Sequence, residues 1–179
     1  GVMRWGLDRR IALVVMSFVG TTPKRMVFGL MLTTTFLSAF MSNTATAAMM
    51  VPVAMALITL VHSTKAAGDP DAVTHERNFS LCILLALAYG ASIGGMATLI
   101  GSPPNGIYMR FMEQTYGQVV SIASWMKVGV PVTLLLFIVS FFVLTGLMFR
   151  NMGGSVPGGK EWVRNELRSM GKLSTGEKA

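Results

Sequence analysis

Charge is scarce in this sequence, and it is missing entirely from its longest apolar runs. Only 13% of the 179 residues are Asp, Glu, Lys or Arg, against 52% hydrophobic, whereas soluble domains carry roughly 25% charged residues. That shortfall excludes an ordinary soluble domain and points to the lipid bilayer as solvent. Cysteine occurs once, at Cys82, which excludes an internal disulfide and a cysteine metal cluster and leaves a small hydrophobe in an apolar run. His62 and His75 are the two histidines, too isolated to suggest a metal centre and best read as solvated. Every Asp and Glu lies outside the apolar segments, so a proton-carrying carboxylate or a charged ligand for a divalent metal is missing from them.

What is present is a series of long charge-free runs separated by short basic groups. The formal charge of +7 raises nucleic acid as a partner, but the Lys and Arg residues flank apolar segments instead of forming a stripe with aromatic side chains. They read as topology signals. Residues 1–23 contain RWGLDRRIALVVMSF, in which Leu7, Ile11, Val14, Val15 and Phe18 fall at helical spacing and Arg4, Asp8, Arg9 and Arg10 lie elsewhere. This predicts an amphipathic helix over 4–18 lying on the membrane surface, since its uncharged part is too short to cross.

Residues 24–62 contain the first long run. From Met26 to Val61 there is no charge over 36 residues, which as one straight helix would extend about 54 Å, far beyond the roughly 30 Å hydrocarbon core. The run must break. The polar cluster Ser42-Asn43-Thr44 with Thr46, near its midpoint, predicts two half-length helices over about 26–41 and 46–61, meeting as a re-entrant hairpin, with Asn43 or Thr44 capping the helix that restarts.

A polar connection follows over 63–78, with turn signals at Gly68, Asp69 and Pro70. Residues 79–112 are again apolar and again interrupted. Gly94, Gly95, Gly101, Pro103 and Pro104 cannot all sit in one regular helix, so a discontinuous helix is expected, roughly 79–93 and 104–112, broken at GSPPN. After an external loop over 113–127, residues 128–150 read as the one plain transmembrane helix. Residues 151–179 bend at GGSVPGG and continue as KEWVRNELRSM, a second amphipathic surface helix over 158–170.

Charge sets the orientation. Five Lys or Arg lie in residues 1–25, two in 62–78 and six in 150–179, against Arg110 and Lys127 alone in the opposite loop. The positive-inside rule places both amphipathic helices in the cytoplasm and returns the 26–61 segment to its starting side.

Two breaks at membrane depth suggest a site, because irregular backbone is tolerated there only when protein buries it or it lines a cavity. Half-helices aim carbonyls at a cation and N–H groups at an anion. Hydroxyl, amide and carbonyl oxygens without carboxylate suit a monovalent hard cation such as sodium. Packing roles compete with this reading: Ser and Thr often bond their own helix backbone and small residues let helices approach, which is the preferred account of TATAA taken alone. The fifteen methionines read as lipid-facing and core packing.

FLSAFMSNTATAAMMVPVA, followed by ALAYGASIGGMATLIGSPPNGI, resembles the divalent-anion:sodium symporter family, whose members carry dicarboxylates, citrate or sulfate. The likeness runs over essentially the whole chain, including RWGLDRRIAL and GGKEWVRNELRSMGKLS. It implies an all-α membrane protein that is the N-terminal half of an inverted-repeat transporter, a fragment lacking the second SNT motif and the opening scaffold helices. It implies a first sodium site from Ser38, Ser42, Asn43 and Gly101, with Thr98 and Ser102 as weaker candidates. It implies substrate contacts from Asn43, Thr44, Ser42 and Asn105. Ser102 stands where Thr is common in the family, and the hydroxyl is retained. The amphipathic helices then resemble cytoplasmic arms linking a moving domain to a scaffold in a homodimer of the inner membrane, an elevator mechanism. Sulfate transport, anion exchange, a channel-like pore of half-helices and a non-transporting scaffold remain the competing readings. Enzymatic activity is not expected, because no nucleophile and base pair lies within the apolar segments.

Overall fold

A computed structural model describes residues 20, 22–63, 71–152, 161, 164 and 165. Among them are five α-helices and no strand: α1 Pro23–Ser38, α2 Asn43–Ser63, α3 Ala72–Gly94, α4 Pro103–Tyr116 and α5 Ile122–Phe142, the last running into a π-helical turn at Val143–Met148. Pro23 occupies the first turn of α1, where its missing N–H costs no helical bond. With 16 residues, α1 is only about 24 Å long and cannot cross the hydrocarbon alone. The expected surface helices over 4–18 and 158–170 lie outside the described residues, apart from positions 161, 164 and 165, which are helical and exposed.

Helix α3 is the centre of the assembly, packed against α1, α2 and α5. Gly90 and Gly94, one turn apart, make this possible. A Cβ on Gly94 would stand 2.1 Å from the Thr35 carbonyl oxygen, and one on Gly90 would stand 3.0 Å from that of Met31. Lipid tails are as apolar as leucine, so helices in a membrane gain mainly from close backbone approach, and small residues one turn apart permit it. Met26, Leu30 and Met31 of α1, Met50 and Leu57 of α2, and Phe79 and Ile83 of α3 fill the shared core with no exposure. Phe28 joins α5 to this core by edge contacts with Phe137 and Phe141, at 5.6 and 5.2 Å between centroids. Asn78 Nδ2 donates to the Asn151 carbonyl at 3.0 Å.

Among the described residues, three helices are long and apolar enough to cross a membrane: Asn43–His62, Ala72–Gly94 and Ile122–Met148. The third is the plain helix expected after 128, and it begins earlier, at Ile122. The limb following the first break is a 21-residue helix, about 32 Å long, and not the half-length piece expected over 46–61. Helix α3 starts at Ala72, inside the stretch read as a polar connection, and α5 at Ile122, inside the stretch read as an external loop. The cause at α5 is a cap: Ser121 Oγ accepts the Ser124 N–H at 3.1 Å, extending the helix beyond its apolar run. At the end of α4, Gly117 takes the left-handed conformation, φ 64°, that closes a helix.

Candidate functional site

Two interruptions meet at one place in this fold. In the first, α1 tightens after Ser38: the Phe40 and Met41 N–H groups both donate to the Leu37 carbonyl at 3.1 Å, using a carbonyl that the helix end leaves free. Helix α2 then restarts from Ser42, whose Oγ accepts the Ala45 N–H at 3.3 Å. Its carbonyl accepts the Thr46 N–H at 2.9 Å. Ser42 is therefore the cap, where Asn43 or Thr44 was expected. This leaves the Asn43 side chain free to turn back toward α1.

The Ser38 hydroxyl, fully buried, meets that side chain. Ser38 Oγ lies 2.8 Å from Asn43 Oδ1 and 2.5 Å from the Ala91 carbonyl oxygen of α3. The Ser38 hydroxyl carries the one proton in this group of three oxygens, for the other two to share or compete for. No charged side chain takes part in these contacts.

The second interruption, residues 95–102, folds over the first. A Cβ on Gly101 would stand 2.9 Å from the Ser38 carbonyl oxygen and 2.8 Å from that of Gly95. Only a residue without a side chain fits between those two carbonyls. Thr98, buried, donates its hydroxyl to the Ala39 carbonyl in the first break. Asn105, buried at the start of α4, donates from Nδ2 to the carbonyls of Gly95 and Thr98, both at 2.8 Å. Trp125 of α5 donates from its indole to the Met96 carbonyl at 3.0 Å.

The named candidates thus divide. Ser38, Asn43, Gly101, Thr98 and Asn105 come together around the junction of the two breaks. Ser42 and Thr44 are exposed on its open side, with Ser102 and Asn43 half-buried beside them. Ser42 is engaged as a helix cap and Asn105 as a tie between loop carbonyls. Sequence reasoning missed the Ala91 carbonyl, Gly95 and Trp125. Backbone carbonyls carry no residue-type signal, although a second glycine beside Gly94 was visible. It also set aside Thr46, which is fully buried with an unpartnered hydroxyl, as is that of Thr35. Among the described residues no group of three or more His, Cys, Asp or Glu converges.

The family model for the sodium:sulfate symporter transmembrane region matches residues 1–179. The chain belongs to that family. Among its relatives is the sodium-dependent dicarboxylate transporter SdcS of Staphylococcus saprophyticus, 34% identical over 177 residues, covering 98% of this chain and 33% of the relative. The protein of the same description in Staphylococcus aureus strain NCTC 8325 is 34% identical over 175 residues, with the same shares covered. The chain spans about a third of the length of the curated relatives it matches. As a member of a transporter family, it bears its polar junction between helices, two of which are long and apolar enough to cross a membrane.

Proposed function

We propose that this chain supplies one half of the ion and substrate site of a sodium-coupled transporter of di- or tricarboxylate anions. The observation that carries the reading is the convergence of Ser38 Oγ, Asn43 Oδ1 and the Ala91 carbonyl at 2.5–2.8 Å with one proton among them. A sodium ion beside this cluster would be held by neutral hard oxygens, joined by the Ser38 and Gly95 carbonyls that flank Gly101. The α1 carbonyl end favours the cation, while the N-terminal ends of α2 and α4 favour an anion. The exposed Ser42 and Thr44, with Asn43, then face the carboxylate.

On this reading α1 and α2 are the limbs of a re-entrant hairpin with Ser42-Asn43-Thr44 at its tip. The thirteen basic residues outside the Arg110–Lys127 side put the open ends in the cytoplasm. The remaining contacts come from an inverted second repeat, and the two surface helices are arms of an elevator in a homodimer. The relatives' names favour dicarboxylate as cargo, and the family's own name adds sulfate as the competitor to test against it. Asn43→Ala in the full-length protein tests the site: sodium-dependent succinate uptake should vanish at unchanged membrane abundance, and a variant with normal uptake would remove Asn43 from it.

A further inference from the structure

Thr98 and Asn105 entered as candidate ligands, for sodium and for substrate. Their hydrogen bonds give them a different role. The Asn105 amide nitrogen has two protons, and both are engaged, on Gly95 O and Thr98 O at 2.8 Å each. While those bonds stand, Asn105 has no N–H left for an anion. The Thr98 hydroxyl proton goes to Ala39 O, in the residue that follows Ser38. Both side chains are more than nine-tenths buried, so neither bond competes with bulk water.

These bonds close a ring of contacts. Ala39 is tied to Thr98, Thr98 to Asn105, and Asn105 to Gly95, against which the Asn43 carboxamide lies. At one end Ala39 is one peptide from Ser38, and at the other Gly95 packs against the Asn43 carboxamide whose Oδ1 meets Ser38 Oγ. We infer that Thr98 and Asn105 are positioning residues whose cross-brace between the two breaks sets the spacing of the sodium-binding oxygens without touching the ion or the anion. The inference rests on the sodium site proposed above. Groups that orient ligands in this indirect way typically change ion affinity by 10- to 100-fold when removed.

The test uses the full-length transporter in proteoliposomes. Thr98→Val keeps the shape and removes the donor; Thr98→Ser keeps the donor. Thr98→Val should raise the sodium concentration for half-maximal succinate uptake about tenfold, with the succinate KM at saturating sodium unchanged. Thr98→Ser should restore the parent value. The sodium-induced shift in melting temperature of the purified protein should follow the same order, and Thr98→Ala replaces valine should valine prevent insertion. A parent-like sodium response in Thr98→Val, or equal impairment in Thr98→Ser, overturns the brace while leaving the sodium site standing. A parent whose uptake and melting temperature both ignore sodium removes the site and the brace together.

Discussion

The Asn43 carboxamide lies against Gly95 so closely that a Cβ on Gly95 would stand 2.2 Å from its Oδ1. The contact joins the first residue of α2 to the loop that follows α3, and it holds Asn43 toward Ser38. Gly95→Ala should therefore push Asn43 out of the oxygen cluster and reduce sodium-dependent uptake by more than about tenfold, with protein still present in the membrane. Gly106→Ala is the control. A Cβ there meets nothing within 4 Å, and uptake should stay near that of the parent.

Gly94 faces a different neighbour. Its added Cβ would meet the Thr35 carbonyl oxygen at 2.1 Å and the Thr35 Cα at 2.8 Å, and backbone cannot swing aside as a side chain can. Gly94→Ala should separate α1 from α3 at a cost of about 1–3 kcal/mol. The measurement is folded protein recovered in detergent, which should fall sharply; full recovery with parent stability would contradict the close helix crossing.

Ser42 carries a structural load apart from any ligand. Removing its hydroxyl leaves the Ala45 N–H without its cap, so Ser42→Ala should cost about 1 kcal/mol of stability. Ser42→Asn, an equally good capping type, should recover most of it. Thermal unfolding of the purified protein reads both. If Asn restores stability but not uptake, the hydroxyl has a second role at the site.

Thr46 is the opposite case. Its hydroxyl is buried without a partner, and replacing such a group by an apolar one of the same shape is neutral or stabilising. Thr46→Val should match or exceed the parent in melting temperature and keep its sodium half-saturation. Thr34→Val removes a 2.7 Å bond to the Leu30 carbonyl and should lose stability. A weakened sodium response in Thr46→Val would make Thr46 an ion ligand.

The helical, membrane-type character of the chain was legible because charge-free runs are a matter of composition and length. The 36-residue run had to break, and the structure interrupts it at residues 39–42. Helix ends were less legible. The start of α5 depends on Ser121, a polar cap several residues ahead of the apolar run, and α3 begins among charged residues that a hydropathy reading assigns to a loop. At the site, the resemblance to the symporter family drew attention to Ser38, Asn43 and Gly101, whose neighbours are now visible. The roles of Asn105 and Thr98 depend on which carbonyls the fold brings within reach, and Ala91 contributes only backbone. No spacing rule encodes those meetings, since they arise from α3 crossing α1 at Gly90 and Gly94.

The central claim is sodium coupling through the Ser38–Asn43 cluster. Its most direct measurement is accumulation of labelled succinate in proteoliposomes bearing the full-length protein, with an inward sodium gradient imposed or replaced by potassium. The account predicts uphill accumulation with sodium, loss of it with potassium, and loss in Asn43→Ala at equal protein content. Equal accumulation in sodium and potassium would contradict it.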